Sequence, residues 1–247
     1  MPFFGDKIIY QAICSSTNTV AMQLLATSKP QEGTVVITDH QYQGKGQRGN
    51  HWISEPYKNL TCSLIVYPYF LSAQQSFMLN MITTLAIHQV IAAYIPVGLT
   101  IKWPNDIYYY NKKLSGLLIE NIINKGQIKA AVIGIGINVN QKSFALPRAS
   151  SLAMICKKQF DLSNLLAQIL QAIQFQYTQL QGQNIPALKK AYIQRLYGMH
   201  EKHTFQAQSQ CFQGIIRGVD ALGRLCIEKE SGYKQYYGFQ EITLVAQ

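Results

Sequence analysis

The sequence is short of charged side chains, and above all of acidic ones. Only 14% of the 247 residues are charged, whereas soluble domains usually carry about 25%. The 12 Asp and Glu residues are outnumbered by 22 Lys and Arg residues, which gives a formal net charge of +10. Hydrophobic residues make up 48% of the chain. Intrinsic disorder is therefore excluded, because it requires few hydrophobic residues as well as high net charge.

The sequence also lacks the patterns that mark secreted, zinc-binding and membrane proteins. The five cysteines are odd in number, widely spaced and never arranged as Cys-x-x-Cys, which argues against a disulfide framework and against a zinc site. No run of about 18 apolar residues could span a bilayer, and the N-terminus shows no signal-peptide pattern. We therefore expect a cytoplasmic protein with no membrane association and no metal-ligand set of its own.

Charge is distributed unevenly along the chain. Residues 200–247 hold five basic and five acidic residues, so the whole surplus lies in residues 1–199. The length suits one large domain, or a large domain joined to a small one. We place the boundary near Tyr197-Gly198, which predicts one domain over residues 1–197 and a second over residues 198–247.

The apolar pattern predicts an α+β domain followed by a small all-β domain. A helix is expected after a cap at Thr17-Asn18, because such side chains satisfy the free amides of a first turn. Helical and strand periods predict the remaining elements. The predicted helices span 72–95, 161–181 and 186–196, and the predicted strands span 34–38, 60–67 and most of 99–140. Residues 40–54 are expected to be irregular, and the glycine-punctuated runs after residue 210 predict a small β-barrel.

A glycine-rich polar segment, QYQGKGQRGNHW over residues 41–52, is the first candidate for chemistry. Its glycines allow close backbone approach to a ligand, and exposed amides in such a loop bind anions. Lys45 and Arg48 add fixed positive charge. The spacing is neither that of a P-loop nor that of a dinucleotide-binding turn. An ordinary surface loop therefore remains an alternative.

A second candidate segment, IKWPNDIYYYNKKLSGLLIE, covers residues 101–120. Each of its notable residues also has an ordinary structural explanation. Trp103 suits the core, and Asp106 suits a turn, since such side chains bond nearby backbone amides. Lys112-Lys113 is expected at a hairpin tip, where lysines are usually solvated. Lys102 is equally compatible with a catalytic and a structural role.

A third candidate segment, VIGIGINVN over residues 132–140, reads as a strand. Gly134, Gly136 and Asn138 share one face, because side chains alternate along a strand. Two missing side chains on one face suit the close passage of a flat ligand. Close packing against another part of the chain is the alternative.

Together these segments resemble the biotin protein ligases. The resemblance rests on five motifs in that family's order: STN at 16–18, GKGQRGNHW at 44–52, KWPND at 102–106, KLSGLLIE at 113–120 and GIGIN at 134–138. The segments GIIRGVDALGRLCIE and GFQEITLV are similar to the C-terminal domain of the same family. The resemblance implies an α+β fold, with a mixed sheet flanked by helices as in class II synthetases, and a small SH3-like β-barrel at the C-terminus.

The resemblance implies a two-step ligase reaction. Biotin and ATP, with Mg²⁺, give biotinyl-5′-AMP and pyrophosphate, and biotin then passes to a lysine of a biotin carboxyl carrier domain, as in acetyl-CoA carboxylase or a related carboxylase. Lys113 is expected at the reacting carboxylate and phosphate, because two anions that meet require preorganised positive charge. Closure of the glycine-rich loop is expected to keep water from the adenylate.

The resemblance also assigns roles to individual residues. The implied catalytic residues are Lys113, Lys45, Arg48 and Asp106. The implied biotin-binding residues are Ser16, Thr17, Asn18, Gln41, Gly44, Gly116, Leu118 and Gly134. The implied nucleotide-binding residues are Lys45, Gln47, Arg48, Trp52, Lys113 and Asn138. For Trp52 and Leu118, a purely structural place in the core remains the alternative.

The sequence departs from the family pattern in its loop and at its start. The family commonly has Arg where this chain has Lys45 and Gln47; Lys45 keeps the charge but loses the bidentate fork of Arg. Gln47 puts tight retention of the adenylate in doubt. The first motif starts at Ser16, without the helix-turn-helix that precedes the catalytic domain in bifunctional members. We therefore expect no DNA binding, and a monomer or homodimer.

Two other functions are compatible with parts of the sequence. A lipoate–protein ligase shares the implied fold and the adenylation step, but the GKGQRGNHW and KWPND motifs favour biotin. A basic nucleic-acid-binding module would use the positive net charge, which gives a salt-dependent affinity for phosphate backbones. The basic residues are, however, scattered among apolar segments, and no recognition helix is visible.

Overall fold

A mixed seven-stranded sheet forms the larger part of the molecule. In the computed structural model, residues 3–245 are described, apart from the side chain of Arg48. The strands are β1 (Ile8–Cys14), β2 (Val35–Gln41), β3 (Leu60–Val66), β4 (Leu99–Lys102), β5 (Asp106–Tyr109), β6 (Lys112–Asn124) and β7 (Gln127–Ile137). Their order is β1-β2-β3-β7-β6-β5-β4. Only β1 and β2 pair in parallel among these strands of the described chain.

Helices cover both faces of this sheet. They are α1 (Thr17–Thr27), α2 (Phe77–Ala92), α3 (Leu152–Cys156), α4 (Leu162–Gln181) and α5 (Ile185–Ile193). Helix α1 is the crossover that parallel pairing of β1 and β2 requires. Its Ala21 packs on Val36, Ile65 and Val132, which point to one face of the sheet. The main core lies on the other face, where α2 is packed against α4 and α5.

A second, antiparallel sheet of five strands follows. Its strands are β8 (Lys202–Ala207), β9 (Gln210–Val219), β10 (Leu225–Lys229), β11 (Lys234–Tyr237) and β12 (Thr243–Leu244), in the order β11-β10-β9-β8-β12. The turn before β10 reaches the first sheet, where the Trp103 indole N–H donates to the Gly223 carbonyl at 2.9 Å. Phe239 stacks at a tilt on Trp103 and on Phe77. The two sheets are thus joined by an aromatic contact and a directed hydrogen bond.

The predicted fold class is confirmed. The structure has the α+β composition, the mixed sheet with flanking helices and the second antiparallel sheet. The helix expected over 161–181 is α4, and Asp161 caps it by accepting a hydrogen bond from the Asn164 amide. The division of the chain at residues 197 and 198 stays a prediction. The first strand of the second sheet begins at Lys202.

Several local expectations were wrong. The N-cap of α1 is Ser16, while Thr17 and Asn18 lie in the first turn, because their side chains bond to strands of the sheet instead. Strand β2 continues to Gln41 because its pairing with β1 extends that far, so the irregular segment starts later than His40.

The helix predicted over 72–95 is also shorter, and two elements were missed. Ser72 and Gln75 form a capping box around a 3₁₀ turn, and α2 begins only at Phe77. Lys112 and Lys113 are not the hairpin tip; they open β6. Strand β1 and the short helix α3 had no counterpart in the sequence interpretation, and the helix predicted over 186–196 runs over Ile185–Ile193.

Within residues 3–245, no helix combines the length and the apolar character needed to cross a bilayer.

Candidate active site

A cavity of about 370 Å³ opens on the face of the sheet that carries α1. It lies over β6 and β7 and beneath the glycine-rich loop at residues 42–52. The sequence-predicted residues that line it are Ser16, Thr17, Asn18, Gln41, Lys45, Gln47, Trp52, Asp106, Lys113, Gly116, Leu118 and Gly134. The fold thus brings five separated motifs to one place.

The floor of the cavity is a strip of two strands that lacks side chains at two positions. Gly134 and Gly136 on β7 pair with Leu118 and Gly116 on β6. A Cβ atom at Gly134 would overlap the Oδ1 of Asn18, and one at Gly136 would overlap the Trp52 ring. The two glycines therefore line the cavity and also allow the side chains of Asn18 and Trp52 to pack directly against the sheet.

The neutral part of the cavity surrounds the Leu118–Gly134 pair. The neutral part consists of Ser16, Thr17, Asn18 and Gln41. Ser16 is buried at the N-cap of α1, but its side chain makes no capping bond. The Thr17 amide donates to Oε1 of Gln41 at 3.4 Å, which leaves the Gln41 Nε2 group as a donor.

Asn18 is held by hydrogen bonds on all sides. Its Nδ2 donates to the Leu118 carbonyl at 3.1 Å and to the Glu120 carboxylate at 2.7 Å. Its Oδ1 lies 2.6 Å from Oγ of Ser63, which in turn lies 2.7 Å from Oγ1 of Thr17. Asn18 is 3% exposed and Ser63 is fully buried. The polar atoms of Asn18 are thus committed to the protein, and its implied direct role in binding biotin stays a prediction.

The charged part of the cavity lies beside the Gly116–Gly136 pair. This pair is two residues further along the strands, or roughly 7 Å. The charged part consists of Lys45, Lys102, Asp106 and Lys113. Nζ of Lys113 and the Asp106 carboxylate form an ion pair at 2.6 Å, with the side chains 33% and 24% exposed. The Lys113 amine is therefore held at the floor and not spread into solvent, as a hairpin-tip lysine would be.

The backbone of Lys113 is fixed as firmly as its side chain. Its amide donates to the Arg148 carbonyl at 2.7 Å, and its carbonyl accepts from the Ser150 amide at 3.0 Å. Asn138, predicted on the glycine face, is buried and directs Nδ2 towards the Lys113 carbonyl at 3.4 Å. Asn138 is not among the residues that line the cavity, and its role towards the nucleotide stays a prediction.

Lys102 joins the charged part, although the sequence left its role open. Burial lowers the pKa of its amine, and the positive charges of Lys113 and Arg148 act in the same direction, while Asp106 opposes them. Its Nζ lies 5.0 Å from the centre of the Tyr108 ring. The cavity therefore holds an amine that gives up its proton more readily than a surface lysine.

The turn between Lys102 and Asp106 is anchored from below. Nδ2 of Asn105 donates to Oδ1 of Asn80 at 3.0 Å and to the Leu117 carbonyl at 3.1 Å. Trp103 lines the cavity and packs between the sheets, which is the core position expected for it. Trp103 and Asn105 of the KWPND segment thus both support the turn between Lys102 and Asp106.

The glycine-rich loop folds back on itself above the cavity. The Gly46 amide donates to the Asn50 carbonyl at 2.7 Å, and the Trp52 amide donates to the Gly44 carbonyl at 2.9 Å. Gly44 lies against Gln41 and does not line the cavity. Lys45 is exposed at the rim. The role predicted for the side chain of Arg48 lies outside the described residues.

Some cavity and supporting residues carried no signal in the sequence. Ser63 sits in an apolar strand, Glu120 ends a motif without an assigned role, and Asn80 lies in an almost wholly buried helix. Residues near and within the second sheet also line the cavity: Tyr197, Phe205, Ile216, Leu225, Ile242, Thr243 and Leu244. Their position at the cavity depends on contacts between residues that are far apart in the sequence.

A resident metal site is absent from the described residues. No group of three or more His, Cys, Asp or Glu side chains within residues 3–245 is arranged to hold a metal ion. Of the carboxylates near the cavity floor, Asp106 is paired with Lys113 and Glu120 accepts from Asn18. The side chains at the cavity floor thus include amines, amides and hydroxyls together with the paired carboxylate of Asp106.

Comparisons with known proteins agree with this architecture. The profile of the Biotin/lipoate A/B protein ligase family matches residues 10–138. The bifunctional ligase/repressor BirA of Bacillus spizizenii is 30% identical over 238 residues, covering 94% of this chain and 73% of that protein. The biotin–[acetyl-CoA-carboxylase] ligase of Mycobacterium tuberculosis is 27% identical, covering 86% of this chain and 80% of that protein.

A solved structure shares the fold over almost the whole chain. The biotin protein ligase of Aquifex aeolicus in complex with biotin and ATP superposes with a TM-score of 0.82 at 24% identity, covering 98% of this chain and 100% of that one. The family profile spans all five motifs, and the match to the Bacillus protein covers 94% of the chain. The chain therefore belongs to the Biotin/lipoate A/B protein ligase family and is an enzyme of the biotin protein ligase class.

Proposed function

We propose that this protein converts biotin and ATP to biotinyl-5′-AMP and pyrophosphate, and then transfers biotin to a lysine of a biotin carboxyl carrier domain. One observation supports this most strongly. The neutral part carries amide and hydroxyl groups, and the charged part carries several lysines. The two parts lie two residues apart along β6 and β7. Biotin has the matching polarity, with a cyclic urea at one end and a carboxylate at the other.

The neutral part would hold the urea ring of biotin. Nε2 of Gln41 and the hydroxyl of Ser16 can donate to a urea oxygen, and the Thr17 hydroxyl can accept from a urea N–H. Leu118 and the Trp52 ring supply apolar surface for the thioether ring. The carboxylate of the ligand would then reach towards Gly116, beside which the Lys113–Asp106 pair lies.

In the first step, a carboxylate oxygen of biotin attacks the α-phosphorus of ATP. A new P–O bond forms, the bond to the bridging oxygen breaks, and pyrophosphate leaves with its electron pair. Both reactants are anions, so fixed positive charge must lower their repulsion in the transition state. We assign this task to Lys113, whose amine is paired with Asp106 beside Gly116, and we assign Lys45 and Arg48 of the loop to the phosphates.

In the second step, the neutral amine of the carrier lysine attacks the acyl carbon of the adenylate. The C–N bond forms, the bond between the acyl carbon and the phosphate oxygen breaks, AMP leaves with that electron pair, and the nitrogen gives up one proton to water. Asp106 has a carboxylate oxygen in the cavity and is proposed to orient the incoming amine. Lys102, with its lowered pKa, lies close by.

Mg²⁺ is proposed to enter with ATP. Phosphate oxygens are preferred ligands of this ion, which is often bound through one or two carboxylates together with substrate phosphates. Within residues 3–245, no group of three or more His, Cys, Asp or Glu side chains is arranged to hold a metal ion. The ion would thus neutralise phosphate charge as part of the substrate.

The remaining parts of the proposal concern partner and setting. The acceptor is proposed to be the carrier domain of acetyl-CoA carboxylase or a related carboxylase, attracted by the basic surplus of residues 1–199. All five cysteines are free, which fits a cytoplasmic setting. We further propose a monomer or homodimer without DNA binding.

The test is transfer of radiolabelled biotin to a purified carrier domain. We expect labelled carrier only when ATP and Mg²⁺ are both supplied, and no labelling of a carrier whose acceptor lysine is replaced by arginine. Calorimetry with biotin and with lipoate separates the two ligase types. Tighter binding of lipoate than of biotin would instead support a lipoate–protein ligase.

A further inference from the structure

A chain of buried hydrogen bonds runs behind the neutral part of the cavity. It links the carboxylate of Glu120 on β6, the amide of Asn18 on α1, the hydroxyl of Ser63 on β3 and the hydroxyl of Thr17. Only Asn18 and Thr17 line the cavity; Ser63 and Glu120 do not. Ser63 is fully buried and Glu120 is half-buried, and both act on a ligand in the cavity only through Asn18 and Thr17.

The direction of the first link is fixed by Glu120. The Asn18 nitrogen faces the Leu118 carbonyl at 3.1 Å and the Glu120 carboxylate at 2.7 Å. Both of these groups can only accept hydrogen bonds when the carboxylate is ionised. If Oδ1 and Nδ2 of Asn18 were exchanged, Oδ1 would face two acceptors, which is unfavourable. Nδ2 therefore faces Glu120 and Leu118, and Oδ1 points to Ser63.

The direction of the next links follows from the number of protons. Oδ1 of Asn18 can only accept, so the single hydroxyl proton of Ser63 must be donated to it, at 2.6 Å. The Ser63 oxygen then has no proton left for Thr17, 2.7 Å away. Thr17 must donate its own proton to Ser63. Its oxygen therefore presents only lone pairs to the cavity.

We propose that Glu120 and Ser63 are positioning residues that make Thr17 an obligatory hydrogen-bond acceptor, so that the neutral part selects a ligand group with an N–H. This rests on the proposed function, in which the ligand is biotin and the group is a urea N–H. A lipoyl ring has no N–H to offer. The preference for a cyclic urea is then set by residues outside the cavity.

Burial makes this device effective. Thr17, Asn18 and Ser63 are each at most 3% exposed, so solvent is largely excluded from re-pairing them. An unsatisfied buried polar group costs more than a satisfied hydrogen bond contributes. A ligand without a donor would leave the Thr17 oxygen unpaired, and a ligand with a donor completes the chain.

The test measures biotin affinity by calorimetry without ATP. Glu120→Ala should weaken binding by about 10- to 100-fold, the scale of one lost buried hydrogen bond. Glu120→Gln should stay within about threefold of wild type, because its amide oxygen can still accept from Asn18. Glu230→Ala, which removes an exposed carboxylate of the second sheet, is the matched control and should bind like wild type.

A double-mutant cycle with Thr17→Val separates the relay from general loosening of the site. In the Thr17→Val background the acceptor is gone, so adding Glu120→Ala should cost less than about twofold more. In steady-state assays the Glu120→Ala defect should raise the KM for biotin and leave the KM for ATP unchanged. Ser63→Ala should reproduce the loss of affinity by breaking the middle of the relay.

The outcomes distinguish the relay from the function on which it rests. Wild-type protein that binds no biotin would overturn the proposed function. Wild-type binding together with unchanged affinity in both Glu120→Ala and Ser63→Ala would overturn the relay alone. Effects of Thr17→Val and Glu120→Ala that multiply fully would also overturn it, because independent sites give additive free energies.

Discussion

The neutral and charged parts of the cavity are built in opposite ways. In the neutral part, Ser16, Thr17 and Asn18 are almost completely buried, and the hydrogen bonds of Thr17 and Asn18 lead into the sheet. In the charged part, Lys113 and Asp106 keep a quarter to a third of their side-chain surface exposed and bond to each other. In the function proposed above, ligand recognition would use the buried region, and chemistry would use the region that is more open to solvent.

The difference also extends to the elements that carry each part. The neutral part belongs to the N-terminal end of α1 and to the end of β2, and hydrogen bonds join it to β3 and β6 of the same sheet. The charged part belongs to strand ends and to a loop. In the proposed function, fixed groups can bind the urea ring of biotin, whereas ATP and a carrier lysine must enter and leave the charged part in turn.

The largest expected effect is on the charged part alone. Lys113→Ala should abolish adenylate formation, with pyrophosphate release falling by at least about 1,000-fold, because it removes the amine that is paired with Asp106 at the cavity floor. Biotin affinity and the melting temperature should change little. Lys112→Ala removes the exposed neighbouring charge and is the control. Pyrophosphate release equal to wild type in Lys113→Ala would refute the assignment.

The next effect should fall on the neutral part alone. Gly134→Ala places a Cβ where the Asn18 oxygen lies, so Asn18 must move and biotin affinity should fall by about 10- to 100-fold. The rate of acyl transfer from added biotinyl-5′-AMP at saturation should stay close to wild type. Gly182→Ala, at a helix end with only ordinary contacts, should bind biotin normally. If both variants bind biotin equally well, Asn18 is not a support of the ligand site.

A smaller effect should sharpen the contrast at the loop. Gln47 lines the cavity above the charged part, and Gln47→Gly removes a side chain that helps to enclose the adenylate. We expect about two- to fivefold more labelling of unrelated proteins, a factor worth no more than about 1 kcal/mol. The measurement is total biotin incorporation in a mixture without carrier. Unchanged labelling would show that Gln47 does not retain the intermediate.

The smallest effect concerns stability and pH. Burial lowers the pKa of Lys102, so the unfolded chain holds this proton more tightly and stability rises with pH between the lowered pKa and 10.5, the ordinary value. Lys102→Met should raise the melting temperature by about 1–3 °C near neutral pH. The gain should shrink as the pH approaches 10.5. A variant whose gain is independent of pH would show that the charge is not the cause.

The sequence predicted the meeting of the motifs but not the support beneath them. Gly134 and Gly136 were correctly placed on one face, because the period of a strand is a local property. Ser63 could not be found, since a single serine in a buried strand has the same pattern as any strand residue. Glu120 could not be paired with Asn18, because 102 residues separate them and only the fold sets their distance.

Errors in local structure had the same origin. Thr17 and Asn18 have the composition of a helix cap, yet tertiary hydrogen bonds drew their side chains to the sheet and left the cap to Ser16. Strand β1 lies at a sheet edge with exposed apolar residues, which blurs the alternation that would predict a strand. The resemblance selected Lys113, which lines the cavity, but its ion pair with Asp106 depends on the register of β5 with β6.

The hydrogen bond from Trp103 to the Gly223 carbonyl and the ring contacts of Phe239 couple the stability of the two sheets. If the second sheet were removed or melted, a buried indole N–H and the faces of Phe77 and Trp103 would be left to water. The turn that carries Lys102 and Asp106 would lose its upper support at the same moment. Unfolding should therefore be one transition, and exchange of the second sheet between relatives should succeed only where the donor supplies an equivalent carbonyl.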